Sequence, residues 1–128
     1  MKLGYIIAYV QNVSATVKFY QQAFGLMHRF IHESGQYAEI ETGTTTLAFA
    51  ANELATSNLS KGYQENRLAN LPTGIEIGFV TKDVSAAFAR AVEAGADTVV
   101  EPKVKPWGQT VAYVRDLDGI LVSINSPI

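Results

Sequence analysis

The sequence predicts an α+β fold made of two consecutive βαβββ units, and two observations support this prediction. The first is the order of the patterns: a β-rich run, an amphipathic helical stripe and further β-rich runs occur twice along the 128 residues. The second is an internal repeat, in which Val84-Ser85-Ala86 matches Val13-Ser14-Ala15 and Gly95 matches Gly25 at nearly the same spacing. Self-similarity of this kind is typical of a duplicated structural unit.

The first unit begins with Leu3–Val10, whose β-branched and aromatic residues predict a mostly buried strand. Asn12 is suited to capping the start of a helix, and Gly25 to ending it in the left-handed conformation. Between them, apolar residues recur on one helical face: Val13, Val17, Tyr20 and Phe24. Three strands are predicted next, separated by glycine-containing turns: Leu26–Glu33, Gln36–Glu41 and Thr45–Ala50.

The second unit repeats this order. Ile75–Val80 is a predicted strand, Asp83 a predicted helix cap, and a helix ends before Gly95, with an apolar stripe of Val84, Phe88 and Ala91. Thr98–Lys103 is the next predicted strand. A closing hairpin follows, because the β-rich runs Gln109–Arg115 and Ile120–Ile124 are joined by the turn-forming segment Asp116-Leu117-Asp118-Gly119.

We therefore expect one domain over 1–128, with modules at about 1–50 and 74–128 and a polar connector at 51–73. A short helical turn is predicted around Glu65–Ala69. A connection of this length is unusual in a compact domain and is often functional, as a lid or the edge of a pocket. A solvated linker is an equally good interpretation.

Composition excludes several classes of function. The net charge of −2 and the lack of a basic cluster argue against nucleic acid, which is bound through Lys and Arg. The absence of Cys excludes disulfides, thiolate metal sites and a Cys nucleophile. The N-terminus does not resemble a signal peptide, and no apolar run has the roughly 20 residues needed to span a membrane. We expect a cytoplasmic protein without membrane partners.

The closing hairpin resembles that of the glyoxalase / bleomycin-resistance / extradiol-dioxygenase superfamily (vicinal oxygen chelate). There the turn reads Asp-Pro-Asp-Gly and the next strand ends in a metal-binding Glu. Here Leu117 replaces the Pro and Ser123 stands where that Glu would be. The first strand-helix unit is similar too, at Val10 to Asn12, Phe19-Tyr20 and Phe24-Gly25. The resemblance implies two βαβββ modules that form a half-barrel cavity.

The resemblance also implies four metal-ligand positions, one on each of four strands: Tyr5, Ala48, Glu76 and Ser123. A catalytic divalent site needs about three imidazole, thiolate or carboxylate ligands, and this set has one carboxylate. We therefore expect no metal. The two histidines, His28 and His32, lie four apart in a predicted strand, roughly 13 Å from each other, too far to chelate together. They are predicted to face solvent.

If the cavity holds no metal, six residues are predicted to bind a ligand there: Tyr5, Phe49, Glu76, Trp107, Tyr113 and Ser123. Glu76 could accept hydrogen bonds from Tyr5, Ser123 or a ligand, and desolvation would suit it to acid–base work, so it is also the candidate catalytic residue. A purely structural carboxylate is the alternative for Glu76. Trp107 offers a flat surface for planar ligands, or fills a core or an interface.

Three functions remain open. The leading hypothesis is a metal-independent protein that binds a small molecule, such as an antibiotic, as the bleomycin-resistance branch does. The second is a lyase, isomerase or dioxygenase of the same superfamily, with an atypical ligand set that holds Zn, Ni, Mn or Fe. The third is a structural interaction module whose cavity is filled by its own side chains. A homodimer is expected, because the resemblance implies cavities that often need both subunits and because unpaired edge strands favour association.

Overall fold

The computed structural model describes all residues from 1 to 128 and has eight strands and three helices. The first module contains β1 (Tyr5–Val10), α1 (Val13–Phe24), β2 (His28–Ile31), β3 (Tyr37–Ile40), β4 (Thr46–Ala51) and α2 (Asn52–Asn58). The second contains β5 (Glu76–Val80), α3 (Val84–Glu93), β6 (Asp97–Val104), β7 (Thr110–Arg115) and β8 (Leu121–Asn125). The predicted order of elements is therefore confirmed, with α2 in addition.

The strands form two separate four-stranded sheets with the same topology. Sheet 1 has the order β1-β4-β3-β2 and sheet 2 the order β5-β8-β7-β6. In each sheet the first strand pairs in parallel with the last one, and the other pairings are antiparallel. The two sheets stay open rather than closing into barrels. This duplication confirms the two βαβββ modules that the internal repeat predicted.

Helix α1 begins and ends at the residues that the sequence predicted. The side chain of Asn12 accepts a hydrogen bond from the backbone N–H of Ala15, and Gly25 has a φ of 69°. The buried face of α1 includes Val13, Val17 and Tyr20, and the Tyr20 ring lies 4.7 Å from that of Phe49 in β4. Phe49 therefore points toward the helix, and its strand neighbours Ala48 and Ala50 point the other way. We call the face turned away from α1 the distal face of sheet 1.

Helix α3 repeats this arrangement on sheet 2. Asp83 accepts a hydrogen bond from the N–H of Ala86, as predicted, and α3 lies against β6, β7 and β8. Alternate residues of β7 and β8 are almost completely buried on the helix-packed side: Ala112, Val114, Val122 and Ile124. Because side chains alternate along a strand, Tyr113 and Ser123 lie on the distal face of sheet 2, turned away from α3.

Two sequence predictions need correction. Strand β1 is not mostly buried, because Tyr5, Ile6 and Ile7 are all exposed and only Val10 is fully covered. β1 is an edge strand that pairs on one side with β4, which leaves its other side uncovered. The predicted helical turn near Glu65–Ala69 is not a helix, and the helix of the connector lies earlier, at Asn52–Asn58.

The chain divides into two compact units, residues 1–21 with 25–65 and residues 22–24 with 66–128. The connector is therefore shared: its first part, with α2, belongs to the first unit and residues 66–73 to the second. No helix is long and apolar enough to cross a membrane.

The later part of the connector is held by one side chain of the closing hairpin. The guanidinium of Arg115 donates to four backbone carbonyl oxygens: Nε to Gly119, Nη1 to Leu68, and Nη2 to Arg67 and Asn70, at 2.6 to 3.3 Å. We call this the Arg115 clamp. It makes residues 67–70 part of the folded second unit rather than a free linker.

Candidate functional site

The distal face of sheet 1 carries a cluster of polar and aromatic side chains. Register places Tyr5 beside Thr46, Ile7 beside Ala48, and Glu39 beside Ala48 on its other side. Cross-strand neighbours share a face of a sheet, so these residues form one surface.

Arg29 of β2 joins the charged groups of this surface. Its Nε donates to Glu41 at 3.0 Å, and its Nη1 to Glu39 at 3.4 Å and to the Thr46 hydroxyl at 3.3 Å. The phenol of Tyr37 donates to the other oxygen of Glu39 at 2.9 Å. The polar groups of this surface therefore bond mainly with one another.

These contacts shift the pKa values of Tyr37 and Glu41. Burial, together with the hydrogen bond to the Glu39 carboxylate, raises the pKa of Tyr37 to about 12. The hydrogen bond and charge of Arg29 lower the pKa of Glu41 below its ordinary value. Both shifts keep the cluster in its paired form near neutral pH: a neutral phenol, a guanidinium and ionised Glu41.

The distal face of sheet 2 is built differently. Gly78 of β5 pairs with Ser123 of β8, and Ser123 pairs with Tyr113 of β7. Asn125 Nδ2 donates to the Ser123 hydroxyl at 2.9 Å and to the backbone oxygen of Phe79 at 3.1 Å. The centre of this surface therefore contains neutral hydrogen-bonding groups only.

The second module contains two aromatic residues predicted to bind a ligand, and only Tyr113 lies on this surface. Tyr113 is half-buried, and the Lys105 ammonium lies 5.9 Å from the centre of its ring. Trp107 lies in the turn between β6 and β7, is 65% exposed, and donates from Nε1 to the side chain of Gln109 at 2.9 Å. Trp107 is thus neither a core plug nor part of the face beside Ser123.

The structure does not give Glu76 the environment expected for a catalytic residue. Glu76 is an exposed residue and is not buried in an apolar cavity. Glu76 pairs with Leu121, two positions along β5 from the pair of Gly78 and Ser123, and the Ser123 hydroxyl bonds with Asn125 instead. Tyr5 is likewise 59% exposed at the edge of sheet 1.

Phe49 is a correction to the predicted site. It has an exposed fraction of 0% and packs against Tyr20 of α1. Phe49 belongs to the core between sheet and helix, because strand parity turns it away from the distal face where Ala48 lies.

The residues at the family's ligand positions do not fit a divalent metal. In the first module, Ala48 has no donor atom and Tyr5 offers a phenol; in the second, Glu76 is one exposed carboxylate and Ser123 is an alcohol bonded to Asn125. No group of three or more His, Cys, Asp or Glu side chains is arranged to hold a metal ion. His28 and His32 are exposed, as predicted, and bond with Gln21 and Ser34.

The contacts that organise both surfaces could not be predicted from the sequence. Arg29, Tyr37 and Glu39 meet because β2 and β3 are paired, and the irregular register between His28 and Phe30 alters the alternation of β2. The alternation of Tyr37 and Glu39 along β3, continued by Glu41 just after the strand, was a usable signal for a polar face. Gly78 was a second usable signal, because a glycine inside a predicted strand suggests a bulge or a close approach of another backbone.

Comparison with known proteins agrees with this architecture. Residues 3–128 match the sequence pattern of a glyoxalase-like domain. A glyoxalase-related enzyme from Fulvimarina pelagi has a similar structure, with a TM-score of 0.86, 18% identity, and coverage of 99% of this chain and 88% of that one. No curated protein matches the sequence.

Two further solved structures cover the chain fully. One is a glyoxalase/bleomycin resistance protein/dioxygenase family enzyme from Burkholderia phytofirmans PsJN, with a TM-score of 0.79, 20% identity and 100% of each chain covered. The other is TioX from Micromonospora sp. ML1, with a TM-score of 0.74, 19% identity and 100% of each chain covered. At such identities the likeness concerns the fold alone.

Proposed function

Because the chain belongs to the glyoxalase-like domain family, we propose that it binds a small organic molecule without a metal ion, by sequestration or sensing. The observation that carries the proposal is the chemistry at the family's ligand positions. Ala48 has no donor atom, and Ser123 offers a hydroxyl that is already hydrogen-bonded to Asn125. Neutral donors and aromatic surface suit an organic ligand better than a divalent cation.

The kind of ligand follows from the charges and rings near these positions. On the distal face of sheet 1, Tyr5 and Tyr37 accompany Glu39, which Arg29 pairs. On that of sheet 2, considered by itself, the exposed Glu76 shares a face with the ring of Tyr113, and the Lys105 ammonium lies 5.9 Å from the centre of that ring. This combination favours an amphipathic molecule with a planar part and a cationic group, as many antibiotics have. A role in antibiotic resistance is part of the proposal.

We also propose a cytoplasmic homodimer. The support is the outer edge of β1, where Tyr5, Ile6 and Ile7 are exposed beside unpaired backbone groups. Exposed apolar edge strands associate readily with another strand, and a second copy of the chain would cover this one. Sedimentation velocity tests the association, and a monomer over the working concentration range would contradict it.

The main test combines metal analysis with ligand screening. The protein is incubated with Zn, Ni, Mn or Fe, desalted and measured by elemental analysis, and it is then screened by thermal shift against cationic amphipathic compounds. We expect no retained metal, no effect of EDTA, and a melting temperature that rises with ligand concentration by mass action.

Two substitutions test whether the rise in melting temperature comes from binding near Glu76. Glu76→Gln should weaken the shift caused by cationic ligands, and Glu93→Gln, which changes another exposed carboxylate on α3, should leave it unchanged. About one metal per chain, removed by EDTA with loss of thermal stability, would overturn the proposal and support a metal-dependent lyase, isomerase or dioxygenase.

A further inference from the structure

Gly78 is an exposed glycine in edge strand β5, between Ile77 and Phe79. Its φ is not positive, so the backbone does not require a glycine there. Glycine weakens a strand and often marks a place where a ligand or another backbone approaches closely. The absence of a side chain at position 78 therefore calls for a functional reason.

The space that a side chain at position 78 would occupy borders two polar groups. A Cβ built on Gly78 would lie 3.2 Å from the Ser123 hydroxyl oxygen and 3.6 Å from Asn125 Nδ2. Apart from atoms of Gly78 and its two chain neighbours, no other heavy atom lies within 4 Å of that position. We call this space the Gly78 notch.

Asn125 determines what the Ser123 hydroxyl can do. Its Nδ2 donates to Ser123 Oγ and to the carbonyl of Phe79, so Oγ acts as the acceptor in its bond with Asn125. The hydroxyl keeps its own proton to donate. Ser123 is 2% exposed, so few acceptors can reach it, and the notch is the direction in which one would approach.

We propose that the Gly78 notch receives the carbonyl oxygen of a neutral amide, ester or ketone, which accepts a hydrogen bond from Ser123. The proposal deepens the proposed function and rests on it, since it assigns part of that ligand to a place. A neutral group is favoured over a carboxylate because Glu76 lies on the same face, about 7 Å away along β5.

The neighbourhood suggests the rest of the ligand. Tyr113 pairs with Ser123 across β7 and β8, so the two side chains are cross-strand neighbours on one face. A planar group next to the carbonyl could pack on the Tyr113 ring. The chemical class is thus an aromatic carbonyl compound, and a cationic substituent would approach Glu76.

Nuclear magnetic resonance of the full chain tests this with two probes, benzamide and benzylamine. Benzamide offers a neutral carbonyl, and protonated benzylamine offers a cation without an acceptor. We expect benzamide to shift the Gly78 backbone amide and the Asn125 side-chain amide along a saturable curve. Loss of one hydrogen bond in Ser123→Ala should weaken its binding about fivefold, with no change for benzylamine.

Gly78→Ala tests the notch itself. Alanine fits the backbone at this position, but its Cβ would lie 3.2 Å from Ser123 Oγ and would fill the space. We expect the variant to fold normally and to lose benzamide binding. Gly74→Ala is the matched control, because a Cβ there meets nothing within 4 Å.

The outcomes separate the two proposals. Benzamide binding that is unchanged in Ser123→Ala and Gly78→Ala would overturn the notch, and benzylamine binding would then still support the proposed function. If neither probe binds anywhere, both proposals fail. If Gly78→Ala alters sedimentation but not benzamide binding, the glycine serves contact with a second chain and the ligand assignment is wrong.

Discussion

The distal faces of the two modules have the same backbone topology and opposite chemistry. On sheet 1, Arg29 pairs with Glu39 and Glu41, and Tyr37 adds its phenol, so the polar groups satisfy one another. On sheet 2, Gly78 leaves space beside a buried hydroxyl whose proton remains to be donated. A duplicated fold can thus keep one face as a closed polar network and the other as a receptive surface.

The two modules also differ in the contacts made by a turn glycine and by an arginine. Gly35 and Gly119 both have positive φ in hairpin turns, but only Gly119 is tightly surrounded. Arg29 bonds with the exposed carboxylate of Glu41 and the mostly buried one of Glu39, whereas Arg115 holds four backbone carbonyls. The second module therefore depends more on its turn and its arginine, and two predictions test this difference.

The largest effect is expected for Gly119→Ala. Its φ of 79° is costly for alanine, and the new Cβ would lie 2.8 Å from Leu68 Cα and 2.9 Å from the Arg67 oxygen, besides striking the Arg115 guanidinium. We expect the free energy of unfolding in urea to fall by about 3 kcal/mol. Gly35→Ala has a similar φ of 73° with no nearby atom and should cost about 1 kcal/mol. Equal losses would contradict the crowding at Gly119.

A smaller effect is expected for Arg115→Ala, which removes the clamp on residues 67–70. Hydrogen bonds from a charged donor stabilise more than neutral ones, so we expect a loss of about 2 kcal/mol and faster proteolytic cleavage in the connector. Arg29→Ala is the comparison: its pair with Glu41 is exposed and its pair with the mostly buried Glu39 is long, at 3.4 Å, so we expect a smaller loss than for Arg115→Ala. Unchanged cleavage after loss of Arg115 would show that the connector is held by other contacts.

The smallest effect concerns Tyr37 and appears only at high pH. Its pKa of about 12 in the folded chain exceeds the ordinary value of 10.0, so the unfolded chain loses the phenolic proton first. The contribution of the neutral Tyr37 phenol to the free energy of unfolding is therefore fully present below pH 10 and is lost as the pH rises toward 12. Ultraviolet titration, with Tyr37→Phe to identify the signal, checks this.

Glu39→Gln separates the two causes of the raised pKa of Tyr37, which are burial and the Glu39 carboxylate. Removing the carboxylate charge should lower the pKa of Tyr37, but burial is the larger cause, so the value should stay above 10.0. A return to the ordinary value would mean that the Glu39 charge, not burial, controls the titration.

Much of the fold could be predicted because its signals are local. Asn12 and Asp83 are helix caps that bond with a backbone group three residues on, and such short-range contacts leave a clear sequence pattern. The repeat predicted the duplicated topology. Helix α2 was missed because Asn52–Asn58 has no capping side chain and its polar composition resembles a loop.

The candidate site was less predictable because its contacts are long-range. Whether Phe49 or Ala48 faces the core depends on strand parity, which a one-residue error reverses. The Arg115 clamp joins residues far apart in the chain, and no local pattern marks it. The exposure of β1 depends on what lies beside its free edge, and the strand composition alone suggested burial.

The parallel pairing of the first and last strands of each module has a consequence for folding during synthesis. Strand β8 occupies an interior position in sheet 2, between β5 and β7, yet it is made last of the four. Until β8 leaves the ribosome, β5 has no partner in its sheet, because Glu76 pairs with Leu121 only after a helix and two strands have been added. Sheet 1, by contrast, can be completed at β4 while the second module is still being translated. A nascent chain therefore passes through a stage in which the first module is assembled and β5 is still unpaired. At that stage a chaperone or a second nascent chain can bind the exposed backbone of β5.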